Sequence, residues 1–92
     1  MSYEASFKPS FFKDLKKIPD SIKSRLKLAV DLIIKDPHLV GAVKLAGHTH
    51  LFRYRLGDYR LVYYLQENRK KILFLIIAHR KDVYKILERS LN

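Results

Sequence analysis

Residues 51–64 read LFRYRLGDYRLVYY, two runs rich in aromatic and apolar residues on either side of Gly57 and Asp58. Aromatic and branched residues favour strands, and a Gly-Asp pair between two such runs is typical of a tight β-hairpin. With Gly57 and Asp58 as the loop residues, Leu56 pairs with Tyr59. The sequence therefore predicts an antiparallel hairpin in the second half of the chain.

The two faces of this hairpin differ in chemistry. Side chains alternate along a strand, so Arg53, Arg55 and Arg60 share one face. The other face is apolar and aromatic, and we expect it to lie on the core; its members are Phe52, Tyr54, Leu56, Tyr59, Leu61, Tyr63 and Leu65. Arg55 lies opposite Arg60, and like charges placed this way are destabilising. Because solubility needs no such cluster, the arginines predict a surface that holds an anion.

The composition is that of a small basic globular domain. The 92 residues are 48% hydrophobic and 12% aromatic, enough for one modest core, so residues 1–92 are assigned to a single domain. Nineteen Lys and Arg against nine Asp and Glu give a net charge of +10, which indicates an anionic partner such as nucleic acid, a membrane surface or an acidic protein. The lack of cysteine excludes disulfides and thiolate metal sites. No signal peptide or membrane span is recognisable, so we expect a cytoplasmic protein.

The first part of the chain shows one strand pattern and two helix patterns. Residues 3–7 alternate as a first strand, and a short helix follows with Ser10 as its N-cap. A longer amphipathic helix, capped by Asp20 or Ser21, ends before Pro37 because the residue preceding proline avoids the helical region. These two helices predict a helical hairpin packed on a sheet.

The remaining segments complete the sheet. Residues 37–50 form a connection with an irregular turn at 42–45, and the apolar run 71–79 predicts a central strand covered on both faces. Asp82 caps a final short helix. The fold class is α+β: an N-terminal strand, a helical hairpin, a mostly antiparallel sheet of about four strands with the helices on one face, and a short C-terminal helix.

The residues that can carry chemistry are mainly Arg53, Arg55, Arg60, Arg80 and Tyr84. Arginine offers a planar fork of donors that matches phosphate oxygens, and several arginines can stabilise the charge of a pentacoordinate phosphorus. A tyrosine can stack on a base or handle a proton. A solvated basic face with a partly buried tyrosine is the alternative interpretation.

The histidines give weaker signals. His79 can act as acid or base near neutral pH where arginine cannot, although a lone histidine at a strand end is more often structural. His48 and His50 can point to the same side of an extended segment, but two ligands without a nearby acid make a weak metal site. We expect this pair to lie in a loop near the hairpin and the substrate. The scattered acidic residues favour a metal-independent reaction with no cofactor.

Two further motifs accompany the hairpin: KLAG at 44–47 precedes it, and AHRKDVY at 78–84 follows it. With them the chain resembles the RelE branch of the RelE/ParE toxin superfamily, from bacterial and archaeal toxin–antitoxin modules, over essentially its whole length. The resemblance implies a RelE-like microbial ribonuclease-type fold. It also implies a ribosome-dependent endoribonuclease (an mRNA interferase) that cuts mRNA in the A site by attack of a 2′-hydroxyl on the adjacent phosphate, leaving a cyclic phosphate and a free 5′-hydroxyl.

The resemblance also implies roles for single residues. Arg53 and Arg55 match the two basic positions before the turn, and Arg53, Arg60 and Arg80 stabilise the phosphate and the transition state. Arg80 takes part in protonating the leaving group, and Tyr84 stacks on a base.

The general base is the point at which this chain departs from the family pattern. The best-understood members carry lysines where this chain has Arg53 and Arg55. An arginine can hardly act as a base, which leaves His79 or a purely electrostatic mechanism.

The resemblance implies partners as well. An antitoxin (RelB-like) wraps such toxins, covers the basic face and often displaces the C-terminal helix, and the pair represses its own operon through the antitoxin's DNA-binding part. Two other functions stay open at this point. One is a ParE-type poison of DNA gyrase, and the other is a non-catalytic basic nucleic-acid-binding module whose binding weakens steeply with salt.

Overall fold

The computed structural model describes residues 2–39 and 41–91, in which five strands form one mixed sheet with helices on both of its faces. The elements in chain order are β1 (Glu4–Phe7), α1 (Pro9–Leu15), α2 (Asp20–Lys35), β2 (Ala42–Lys44), β3 (Leu51–Leu56), β4 (Tyr59–Gln66), a 3₁₀ turn (Glu67–Arg69), β5 (Lys71–His79) and α3 (Val83–Leu91). The predicted α+β class is confirmed. No helix in the described ranges has the length and apolarity needed to cross a membrane.

The hairpin predicted from residues 51–64 is present in the predicted register. β3 and β4 are antiparallel, with Leu56 opposite Tyr59 and Arg55 opposite Arg60. Gly57 has φ +60°, which a side chain would strain, and a Cβ there would lie 3.2 Å from the Arg25 Nη1 atom. The turn therefore depends on glycine at its first position.

The sheet order is β1-β5-β4-β3-β2, so β5 is an interior strand, as its continuous apolar sequence predicted. β1 pairs with β5 in parallel, whereas the other neighbours are antiparallel. The sequence prediction of about four strands was one short, because residues 42–45 are not an irregular turn. β2 occupies 42–44 as an edge strand paired with β3, and three residues are too few to show an alternating pattern.

Two apolar clusters lie on opposite faces of the sheet. The first is formed with α1 and α2 and includes Ile22, Leu26, Phe52, Leu61 and Tyr63. The second includes Leu51 and Val62 of the sheet and Val83 and Leu87 of α3. The expectation that all helices lie on one face is therefore wrong: α3 covers the face that carries the arginines.

A β-bulge interrupts the pairing of β4 with β5. Val62 lies opposite Ile76 and Tyr63 opposite Phe74, so Leu75 has no partner. Because of the extra residue, Leu75 and Ile76 both lie in the second cluster. Residues after the bulge therefore lie on the opposite face from the one that strict alternation would give them, and Ile77 lies in the first cluster. The bulge therefore also reverses the face on which His79 lies, at the end of the strand.

The helix starts differ in detail from the sequence prediction. α1 begins at Pro9, ahead of Ser10, so Ser10 is not its N-cap. α2 begins at Asp20 after Pro19, with no side-chain capping bond from Asp20 or Ser21. Proline favours the first helical turn because its fixed φ suits the helix and its missing N–H is not needed there. The predicted end of α2 at Asp36 is confirmed.

Candidate functional site

Three arginines lie on the face of the sheet that α3 covers in part. Arg53 of β3 is opposite Val62, which packs against α3. Two residues further along β3, Arg55 is opposite Arg60. Arg53 and Arg60 are half-buried, and Arg55 is exposed. The structure thus brings together the three hairpin arginines on one face, as the alternation predicted.

Arg60 is held by the backbone of the turn. Its Nη1 donates to the carbonyl oxygens of Gly57 at 2.9 Å and of Tyr59 at 3.0 Å. A guanidinium has five N–H donors, so the three on Nε and Nη2 remain for a ligand. Burial first, and then the positive charges of Arg55, Arg53 and Arg80, lower the pKa of Arg60. These are the surroundings of a cation positioned to receive an anion.

The turn also positions the two neighbouring arginines. Arg55 Nε donates to the same Gly57 carbonyl at 3.3 Å, so one oxygen holds both opposed guanidinium groups. The Arg80 backbone N–H donates to the Asp58 carbonyl at 2.7 Å, and its Nε lies 3.8 Å from Asp58 Oδ1. These contacts tie the end of β5 to the hairpin turn and place Arg80 within electrostatic range of Arg60.

Tyr84 lies on α3 across from the arginines. It is 51% exposed and lines a cavity of about 460 Å³ together with Arg53 and, from α3, Leu87. Arg80 is not on that helix, because α3 begins only at Val83. The two residues therefore reach the site from different elements, Arg80 from the turn after β5 and Tyr84 from α3.

His79 lies away from this cluster. It is opposite Tyr59, and the two rings pack edge to face at 5.4 Å, next to the first apolar cluster. His79 lines a different cavity, which it shares with Asp14 of α1, with Lys17, and with Lys85 and Arg89 of α3. Its Nδ1 accepts the backbone N–H of Lys81 at 3.2 Å. The structure therefore does not bring His79 together with the hairpin arginines.

Sequence reasoning missed the pair of turn carbonyls that hold Arg60, although the arginines directly beside the turn were a signal for it. The sequence placed His48 and His50 together in a loop near the hairpin. In the structure His48 lines the cavity of Arg53 and Tyr84, whereas His50 packs its ring against Tyr64 at 5.8 Å. In the described ranges no group of three or more His, Cys, Asp or Glu is placed to hold a metal ion, the His48–His50 segment included.

Comparison with known proteins assigns the family. The family model of the ParE toxin of type II toxin–antitoxin systems (parDE) matches residues 5–84. The chain belongs to the RelE/ParE toxin superfamily. Toxin RelE3 of Methanocaldococcus jannaschii is 32% identical to this toxin over 82 residues, which are 85% of this chain and 91% of the relative. The protein is accordingly a toxin of a RelBE-type toxin–antitoxin system.

Solved structures agree with this assignment. The RelE–RelB complex of Pyrococcus horikoshii OT3 contains a chain that is 28% identical to the toxin, with a TM-score of 0.74 over 87% of this chain and 97% of that one. A mutant of E. coli toxin RelE in the free state has a TM-score of 0.80 over the full length of both chains at 20% identity, a likeness of fold alone. The RelE-like fold expected from the hairpin and its flanking motifs is confirmed.

Proposed function

We propose that this toxin is a metal-independent endoribonuclease that cleaves mRNA in the ribosomal A site and so stops translation. The observation that carries the proposal is the arginine face beside α3. Arg60 keeps three N–H donors free there, Arg53 and Arg55 adjoin it, and Tyr84 borders the same cavity as Arg53. The resemblance of the chain to the toxins RelE3 and RelG supports the same assignment.

The proposed reaction is attack of a ribose 2′-oxygen on the neighbouring phosphate. Arg60 and Arg53 bind the non-bridging oxygens, whose negative charge grows as the phosphorus becomes pentacoordinate. Arg55 adds positive charge at the exposed edge, and Arg80 stabilises the leaving 5′-oxygen. Tyr84 stacks on a base, which an exposed aromatic ring can do with any nucleotide.

The proposed partners follow from the chemistry and from the relatives. The ribosome presents the mRNA, so the toxin acts in the cytoplasm. Relatives have been solved as RelE–RelB complexes, and we propose a RelB-like antitoxin that covers the arginine face and carries the operator-DNA contact of the pair. A cover of this kind requires acidic groups on the antitoxin, because the toxin carries a net charge of +10.

Poisoning of DNA gyrase is the second candidate. The family model that matches the chain is described as the ParE toxin, which favours it. A cluster of arginines aimed at one phosphate has no evident use in that activity, so we rank it below mRNA cleavage.

The experiment that separates these functions is brief expression in bacteria with mapping of mRNA 5′ ends. Arg60→Ala and Arg80→Ala remove cations of the site. Arg69→Ala removes an equal charge from the exposed 3₁₀ turn and serves as the matched control. Ribosomes programmed with a defined mRNA, and the same mRNA without ribosomes, then test the dependence on the ribosome in purified components.

The proposal predicts new 5′ ends inside translated codons for the wild type and for Arg69→Ala, and none for the two site variants. Growth arrest without new ends, accompanied by DNA breaks, would assign the gyrase function. Salt-sensitive RNA binding with neither arrest nor ends would identify a plain binding module.

A further inference from the structure

The four arginines of the site cannot accept a proton, and the Asp58 carboxylate beside them pairs with Arg80, its Oδ1 3.8 Å from the Arg80 Nε. Arginine is always protonated at neutral pH, so Arg53, Arg55, Arg60 and Arg80 cannot take the proton of an attacking 2′-hydroxyl. His79 packs on Tyr59 and borders a different cavity. The proposed cleavage therefore requires another base beside the hairpin arginines.

His48 occupies the required place. Residues 2–39 and 41–91 hold all four histidines of the chain, and of these His48 alone lines the cavity of about 460 Å³ that Arg53 and Tyr84 also line. His38 binds Glu67, and His50 packs on Tyr64. Imidazole titrates near neutral pH, which suits a general base.

The backbone around His48 is anchored to the core behind the site. The Leu45 N–H donates to the Leu51 carbonyl at 2.9 Å, and the His48 N–H donates to the Leu45 carbonyl at 3.1 Å. Leu45 and Leu51 are buried in the cluster that also contains Leu87 of α3. The loop is thus fixed at both ends to the layer that carries Tyr84, and the histidine is exposed at its tip.

The neighbouring lysine is not an equivalent candidate. Lys44 also borders the cavity, but its Nζ lies 6.0 Å from the centre of the Phe52 ring, and Phe52 belongs to the cluster on the other face of the sheet. The titratable and charged groups around His48 are Lys44 of β2, Arg53 of β3 and Tyr84 of α3, with His50 and Tyr64 at the adjoining cavity.

We propose that His48 is the catalytic residue that accepts the proton of the attacking 2′-hydroxyl, an inference that rests on the proposed ribonuclease function. The 2′-oxygen bonds to phosphorus as its proton passes to the His48 imidazole. The bond from phosphorus to the 5′-oxygen breaks, and its electron pair goes to that oxygen, which takes a proton from water. The products are a 2′,3′-cyclic phosphate and a 5′-hydroxyl, and the imidazolium returns its proton to the hydroxide formed.

The test is the single-turnover cleavage rate of mRNA on programmed ribosomes, measured from about pH 5.5 to pH 8.5 around the usual titration of imidazole. His48→Gln keeps hydrogen-bonding capacity but cannot accept the proton. His38→Gln is the matched control, because His38 pairs with Glu67 away from the site. His79→Gln tests the competing base, and binding of a 2′-deoxy mRNA reports on affinity alone.

The proposal predicts that His48→Gln slows cleavage by about 10²-fold or more, the usual contribution of a general base. In the wild type the cleavage rate should fall towards acid pH, and in His48→Gln this fall should be absent. His48→Gln should bind the 2′-deoxy mRNA as the wild type does. His48→Gly should regain rate with added imidazole. An unchanged rate and pH profile in His48→Gln, or loss of the acid limb in His79→Gln instead, would overturn the inference while leaving the ribonuclease function standing. A wild type that produces no cyclic phosphate would remove the ribonuclease function itself.

Discussion

Replacement of Arg60 by alanine separates activity from stability. The Nη1 of Arg60 donates to the carbonyls of Gly57 and Tyr59, and the three N–H donors on Nε and Nη2 can bind a phosphate. Loss of one preorganised donor group aimed at a developing oxyanion costs about 3–4 kcal/mol, or roughly 10²–10³ in rate. Because Arg53 and Arg80 remain and the site is open to water, we expect the lower end, a fall of about 10²-fold.

The same change should hardly affect folding. It relieves the opposition of Arg60 to Arg55, worth about 0.2–1 kcal/mol for a cross-strand pair. The change also removes two hydrogen bonds, which lowers stability by about 0.5–1.5 kcal/mol each. Water can reach the freed carbonyls at the half-buried turn, and this reduces the loss. The free energy of unfolding should therefore change by less than about 1 kcal/mol.

The assays are urea denaturation followed by circular dichroism and single-turnover cleavage on programmed ribosomes. Arg60→Lys keeps the charge but loses the planar fork, so it should recover only a small part of the rate. Arg69→Ala controls for the loss of one positive charge. A rate for Arg60→Ala within about threefold of the wild type, well below the effect of one oxyanion donor, would refute the assigned role. A loss of more than about 2 kcal/mol of stability would show that Arg60 is mainly a structural residue.

Three further predictions concern an aromatic ring, a buried hydroxyl and a carboxyl group. Tyr84→Ala should weaken RNA binding by about 1–3 kcal/mol, while Tyr84→Phe should bind RNA as the wild type does. An equal loss of binding in Tyr84→Phe would assign the effect to the hydroxyl. Tyr63→Phe removes a buried O–H that donates to the Pro37 carbonyl at 2.6 Å, and it should lower stability by about 1–3 kcal/mol in urea titrations; an unchanged midpoint would contradict this. Burial raises the pKa of Asp14 despite the hydrogen bond from the Ile77 N–H, so the folded state holds the carboxyl proton more tightly than the unfolded state does. The wild type should therefore gain stability relative to Asp14→Asn as the pH falls towards about 4. Thermal melts of both proteins across this range check the trend, and parallel curves would disprove it.

Much of the candidate site was predictable because its information is local. The side-chain period of two and the Gly57 and Asp58 loop place Arg53, Arg55 and Arg60 on one face, and the register follows from the length of the loop alone. The end of α2 was equally readable, since the constraint comes from the proline that follows Asp36.

The placement of His79 could not be predicted in the same way. The run from Ile72 to Ala78 is apolar on both faces, so its sequence does not reveal where the bulge at Leu75 reverses the alternation. That reversal, together with the pairing to β4, places His79 beside Tyr59 and away from the face of the hairpin arginines.

The sequence by itself determined the hairpin, the helical hairpin and the arginine face, because turn chemistry and periodicity act between residues close in the chain. Only the tertiary structure decided which distant groups meet. Three features join segments far apart in the chain: the parallel pairing of β1 with β5, the packing of α3 on the arginine face, and the meeting of His48 with Tyr84 in one cavity. Their position depends on how the apolar faces are buried against each other, which no local pattern records.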